Sequence, residues 1–195
     1  MQKYERIKGM ILSHIELAHQ YWKSFLKPGD FVIDATCGNG YDSLALAQMV
    51  SGHVLCIDIQ ERAINATREK LKKNLTPSIF KVITYHLGSH EHFPPLKAAP
   101  SLIVYNLGYL PGSDKTVVTD AFETLKSLKE ALSLLKPGGA ICLTCYVGHP
   151  GGEEEEKMLL SFSKSLNKND FNVCYHQWIN RLKSPSLLLI QKLNN

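Results

Sequence analysis

Residues 31–42 read Phe-Val-Ile-Asp-Ala-Thr-Cys-Gly-Asn-Gly-Tyr-Asp, a short β-branched apolar run that breaks into a glycine-bearing turn. A helical pattern follows at Leu44, Leu46, Ala47 and Val50. Strand, tight loop and helix in that order restrict the chain to folds with helical crossovers between parallel strands. The cycle recurs. Residues 53–58 predict a second strand, and 61–74 a helix whose inner face is Ala63, Ile64, Thr67 and Leu71. A third strand is expected over 79–85, a Gly/Pro-bearing connector over 88–100 and a fourth strand over 101–106. The long helix of 116–135 should face inward through Val118, Ala121, Phe122, Leu125, Leu128, Leu132 and Leu135, and Lys136-Pro137-Gly138-Gly139 stops it. Residues 140–147 form the fifth strand and 152–167 the next helix; 171–179 and 186–191 are strands with no helix between them, hence an antiparallel edge hairpin. Ahead of all this, residues 4–26 carry the i, i+3/i+4 apolar spacing of an amphipathic helix.

These segments leave no linker, repeat or low-complexity tract, so residues 1–195 are expected to form one domain, with residues 1–27 a helix packed on it. The α/β pattern with helices on both sides implies a three-layer sandwich. A formal charge of +4 and a pI near 8.7 are only mildly basic, which permits an RNA partner without requiring one. No apolar run approaches the ~20 residues that span a bilayer, and the start lacks a secretory h-region, so a cytoplasmic protein without a membrane partner is expected. Cys37, Cys56, Cys142, Cys145 and Cys174 are scattered, mostly within apolar runs, and read as buried reduced thiols. Cys142 and Cys145 lie three apart in a strand and should face opposite sides of the sheet, which argues against a zinc or redox pair. His86, His90 and His92 lack a fixed ligand spacing, and no metal is expected. The run Glu153–Glu156 reads as a solvated helix start favoured by the macrodipole.

The chemistry begins at Asp34-Ala35-Thr36-Cys37-Gly38-Asn39-Gly40-Tyr41-Asp42. Its glycines let the backbone turn sharply and approach a ligand, and Asp58 ends the second strand where a carboxylate can accept from two ribose hydroxyls. A dinucleotide fingerprint would be Gly-x-Gly-x-x-Gly, but here Ser43 occupies the third glycine position. Asp34 and Asp42 would face a pyrophosphate unfavourably, whereas carboxylates suit the ammonium and sulfonium of S-adenosylmethionine. A nicotinamide oxidoreductase is therefore a remote reading.

The loop resembles motif I of class I methyltransferases. That resemblance implies a Rossmann-like three-layer sandwich with strand order 3-2-1-4-5-7-6, and cofactor contacts from Asp34, Thr36, Gly38, Asn39, Gly40 and Asp42, from Asp58 with Ile59, and from Ser89-His90-Glu91 near the adenine. The fourth strand ends Asn106-Leu107-Gly108-Tyr109, with the Asn-x-x-Tyr spacing of nitrogen-directed methyltransferases, where Pro-Pro stands in place of Leu107-Gly108. By that resemblance Asn106 borders the cofactor and its carbonyl accepts from the target amine, while Tyr109 stacks on the substrate.

Taken together, 34–42, Asp58-Ile59-Gln60, Ser89-His90-Glu91, 106–115 and Tyr146-Val147-Gly148-His149-Pro150-Gly151-Gly152 resemble the YtqB-type family over residues 14–192. That family is labelled for ribosomal RNA methylation and linked to tRNA 5-aminomethyl-2-thiouridine methyltransferase activity. The resemblance implies transfer of a methyl from S-adenosylmethionine to the aminomethyl nitrogen of a wobble uridine in the tRNA anticodon loop. Because an alkylamine is mostly protonated near neutral pH, the site must bind the neutral form or remove a proton; Asp114 and Tyr109 are candidates, with Tyr146 and His149 approaching from the fifth strand. His14 and His19, in the first helix, read as hydrogen-bonded structural histidines or substrate contacts. Lys3, Arg6, Lys8, Lys115, Arg181 and Lys183 are isolated cations that either solvate the surface or meet phosphates. Methylation of ribosomal RNA and a catalytically silent cofactor- or RNA-binding module are the alternatives. No appended RNA-binding domain is expected, so recognition should fall to the rim of the active site, aided by a second subunit if the chain is a homodimer.

Overall fold

The computed structural model describes residues 12–108, 119–181 and 183–194. In chain order they form α1 (His14–Phe25), β1 (Val32–Asp34), α2 (Tyr41–Val50), β2 (Val54–Asp58), α3 (Glu61–Asn74), α4 (Pro77–Phe80), β3 (Ile83–Leu87), β4 (Leu102–Leu107), α5 (Ala121–Leu134), β5 (Ala140–Cys145), α6 (Gly152–Lys164), β6 (Phe171–His176) and β7 (Ser186–Lys192). The strands make one sheet in the order β3-β2-β1-β4-β5-β7-β6. Pairs from β3 through β5 are parallel, while β7 runs antiparallel to both β5 and β6, as the helix-free end of the sequence pattern predicts.

Alternation along the strands builds two cores. Val32, Cys56, Val104 and Cys142 pack with Trp22, Leu46 and Leu71 of the first three helices. Their neighbours Ile33, Ile57, Tyr105 and Leu143 pack on the other side with Leu128 and Leu132 of α5 and Leu159 of α6. Cys142 and Cys145 fall in different cores, as strand geometry requires. Cys174 departs from the expected burial: it is exposed on β6, an edge strand with one solvent face.

Several boundaries move, each for a local reason. Ser13 caps α1 through a reciprocal bond pair with Glu16, so this helix starts at His14; residues 4–11 of the expected helix lie outside the described residues. Residues 79–80 belong to α4, because Pro77 stands at a first helical position where its fixed φ suits a turn, and β3 begins only at Ile83. Asp120 caps α5 through the amides of Phe122 and Glu123. Phe122 does not face inward: it is 74% exposed, and the buried stripe runs through Thr124, Ser127, Leu128, Ala131 and Leu132.

Thr124 and Ser127 are buried because each hydroxyl has a partner. Ser127 pairs with the Tyr105 hydroxyl at 2.9 Å, and Thr124 donates to Glu155 at 2.7 Å. The acidic run is thus only partly solvated: Glu153 and Glu154 are exposed, Glu155 is buried, and Glu156 accepts from Tyr175 and Ser186. Glu155 also accepts from Thr119 at 2.8 Å, while burial raises its pKa. Glu155→Ala is expected to strand two hydroxyls in the α5–α6 contact and cost about 2–4 kcal/mol, read as a lower urea midpoint. An unchanged midpoint would show that water replaces the carboxylate without loss.

Candidate active site

Parallel pairing brings the carboxyl ends of four strands to one edge, with Asp34 closing β1, Asp58 closing β2, Asn106 near the end of β4 and Tyr146 just past β5. This is where an open α/β sheet presents functional side chains. The loop after β1 stays tied to both flanking strands, through Ala35 N–H to Val104 O and Cys37 N–H to Ile57 O, each 2.9 Å. Gly38 (φ +50°) and Gly40 (φ +75°) take the left-handed conformation that turns it into α2.

A β-carbon on Gly40 would lie 2.9 Å from the Thr67 Cα, a main-chain clash that no rotamer relieves. Thr67 in turn donates to the carbonyl of Gly38 at 3.0 Å. Gly40→Ala is therefore expected to cost about 1–3 kcal/mol and to push the loop off α3. Thermal denaturation and limited proteolysis of the loop report this, and wild-type behaviour in both would show that α3 gives way.

The carboxylates differ in their surroundings. Asp34 is fully buried; it accepts from the Ser43 hydroxyl at 2.5 Å and the Thr36 amide at 3.3 Å. Burial, and then the neighbouring Asp42 charge, lift its pKa to about 7. The oxygens of Asp58 accept from the amides of Gly38 and Gln60, each at 2.9 Å, which aims the carboxylate along the loop; burial raises its pKa. Beside it Ile59 is 60% exposed, an apolar surface open to a ligand.

Asp42 joins three elements. One oxygen meets His19 Nε2 of α1 at 2.8 Å, and the other accepts from the Asn106 side-chain amide at 2.8 Å. A carboxylate only accepts, so the amide must turn its NH2 toward Asp42 and leave Oδ1 as an acceptor on its other side. The Asn106 main-chain N–H donates to the Thr36 hydroxyl at 2.6 Å, which holds β4 against the glycine loop. His14 adds a second histidine from α1: its Nε2 lies 3.3 Å from the Tyr146 hydroxyl, and burial lowers its pKa against the opposing pull of Asp42. His149 is buried with Nδ1 2.9 Å from the Pro150 carbonyl, and a β-carbon on Gly108 would stand 3.4 Å from Tyr146 and 3.6 Å from His149.

Tyr109, Asp114 and Lys115 lie outside the described residues, as do Lys3, Arg6 and Lys8. On either side of the first three, the Thr119 N–H donates to the Gly108 carbonyl at 3.1 Å. Past β3, His90 is buried against Tyr105 and 3.4 Å from the Thr124 hydroxyl, and burial takes its pKa down to about 4. Ser89 bonds the Glu91 amide and Glu123, and Glu91 pairs with Lys126 at 2.8 Å. The side chains of His90 and Glu91 thus point to α5, and the segment offers its main chain and the half-buried Ser89 to the site edge. Asn39 is half-buried in the glycine loop. His14 and His19 acquire their place at the site only through the docking of α1, a contact no local spacing encodes.

Comparison with known proteins agrees with this geometry. Residues 54–192 match the family model described as "Putative rRNA methylase". A chloroplastic tRNA (mnm(5)s(2)U34)-methyltransferase of Arabidopsis thaliana is 38% identical over 193 residues, 92% of this chain and 69% of that protein. The crystal structure described as a putative rRNA-methylase from Clostridium thermocellum superposes with a TM-score of 0.88 at 34% identity, over 95% of this chain and 100% of that one. A Streptococcus mutans protein described as a putative methyltransferase, solved with SAH, gives 0.83 at 32% identity over 94% and 100%. The strand order, the acids at the strand ends and these matches place the chain in the rRNA methylase family, within the class I methyltransferase fold.

Proposed function

We propose that this chain is an S-adenosylmethionine-dependent N-methyltransferase that converts wobble 5-aminomethyl-2-thiouridine of tRNA to 5-methylaminomethyl-2-thiouridine. The observation that carries it is the Asn106 amide, held by Asp42 so that a carbonyl acceptor remains beside the cofactor loop. The residues fit the methyl donor: Asp34, Asp42 and Asp58 gather anionic charge suited to an ammonium and a sulfonium, and they oppose a pyrophosphate. When bound, S-adenosylmethionine supplies an electrophilic methyl carbon. Gly38, Asn39 and Gly40 would hold the methionyl part, Asp58 the ribose, and Ile59 with the main chain at 88–91 the adenine.

Asn106 Oδ1 accepts from the target amine and aims its lone pair, since catalysis of an in-line displacement is chiefly placement within about 3–3.5 Å. Tyr146 and His149 stand at the site edge, and with Tyr109 and Asp114, whose part rests on the resemblance alone, they are the candidates to stack on the base or take the proton of the amine. The tRNA substrate is supported by the Arabidopsis relative. No helix among the described residues is long and apolar enough to cross a membrane. A cytoplasmic reaction by a single-domain enzyme, alone or as a homodimer, is part of the same proposal.

Isothermal titration should show S-adenosylmethionine binding, and methyl transfer should label bulk tRNA. Nucleoside mass spectrometry after gene deletion should show 5-aminomethyl-2-thiouridine accumulating. Label in ribosomal RNA alone would support the ribosomal alternative; cofactor binding without transfer would mean a silent module, and NADH binding in its place an oxidoreductase.

A further inference from the structure

The β6–β7 connection returns to the edge of the sheet that carries the site. Cys145 pairs with Ser186, so residues 177–181 and 183–185 stand beside Tyr146 and the start of α6, at the same end as Asn106. This connection is chemically unlike the rest of the rim. The Arg181 guanidinium stacks on the Trp178 ring at 4.1 Å, Ile179 is 98% exposed, and Arg181 and Lys183 project into solvent. Between this loop, Val147 and α6 lies an open cavity of about 250 Å³, below the roughly 300–1,000 Å³ that enclose small-molecule ligands. Lys183 also borders a second hollow that runs along Val147, Gly148 and His149 back toward Gly108.

An aromatic ring backed by a guanidinium, an exposed aliphatic group and a second cation make a stacking platform for single-stranded nucleic acid. Charge sets the course of the strand. Glu153 and Glu154 are exposed on the α6 wall and repel phosphate, which leaves the Arg181–Lys183 side for the backbone. We infer that residues 177–181 with Lys183 form a subsite for a nucleotide flanking the target, with a base stacked at Trp178 and phosphates met by Arg181 and Lys183. This rests on the RNA methyltransferase reading and adds where the strand leaves the site.

The test measures equilibrium binding of total tRNA and of an oligouridine strand at several salt concentrations. Trp178→Ala should weaken both about tenfold, and Trp178→Phe should restore most of the loss, since stacking contributes about 1–3 kcal/mol per base. Arg181→Ala and Lys183→Ala should each lower the slope of log affinity against log salt by about one. Affinity for S-adenosylmethionine should stay within about twofold, which separates this loss from misfolding. If wild-type protein binds tRNA and all three alanine variants bind it equally well, the subsite is wrong and the enzyme reading stands. If wild-type binds neither RNA, both fall.

Discussion

Asn106→Ala is expected to keep S-adenosylmethionine affinity within about tenfold while lowering kcat on tRNA by about 10²–10³-fold, because a misplaced nucleophile loses the advantage of alignment. Asp42→Ala should act in the same direction. Without the carboxylate that fixes the NH2 at 2.8 Å, the Asn106 amide can rotate and present a donor where an acceptor is needed. Asp42→Asn should fall between, since a second amide can still offer its carbonyl to Asn106. His19→Ala should resemble a weaker Asp42 variant, as the 2.8 Å contact from α1 restrains the carboxylate. Wild-type kcat at saturating tRNA for Asn106→Ala would remove the positioning role. For Asp42→Ala, an unchanged kcat with a much raised cofactor Kd would leave Asp42 its part in holding the cofactor and remove its bracing of Asn106.

The second large effect concerns Asp34. Its native carboxyl holds a proton more tightly than the unfolded chain does, with a pKa raised from the usual Asp range to about 7. The sign follows: the native state binds more protons between about pH 4 and 7, so this contribution to stability is full below pH 4 and lost as pH rises through 7. The buried charge costs about 2–4 kcal/mol at pH 8. Asp34→Asn keeps an acceptor for Ser43 and should gain about that much at pH 8, with a flatter stability profile between pH 4 and 7. The same variant should bind S-adenosylmethionine at least about tenfold more weakly. In the wild-type protein a bound cation should expel the Asp34 proton, so cofactor affinity should rise with pH up to about 7 and the calorimetric enthalpy should vary with the ionisation heat of the buffer. Equal stability of Asp34→Asn and wild-type at pH 8 would show that the carboxylate is not a buried charge there.

Much of the architecture was legible along the chain. The alternation that places Val32 in one core and Ile33 in the other, and the glycines that turn β1 into α2, are local patterns, and the helix-free interval before β7 foretold the antiparallel edge. Sequence pattern and structure part where one local pattern meets a competing one. The apolar residues at 79–80 were absorbed into a proline-started turn, and Phe122 at a helical position was displaced from the interior by Thr124, whose hydroxyl satisfies a buried Glu155. A run of four glutamates cannot reveal which of them faces inward until α6 is laid against α5.

The division at the site has one physical cause. Asp34, Asp58 and Asn106 could be placed from sequence because each sits at the end of an apolar run, and strand ends in a parallel sheet share an edge. The cooperation of His19, Asp42 and Asn106 could not. Asp42 is 23 residues from His19 and 64 from Asn106, and hydrogen bonds over such separations exist only once α1 has docked and β4 has paired with β1. Hydrophobic periodicity is written in neighbouring residues and so specifies the scaffold; the direction in which an amide presents its carbonyl is settled by partners that only the folded chain brings within 3 Å.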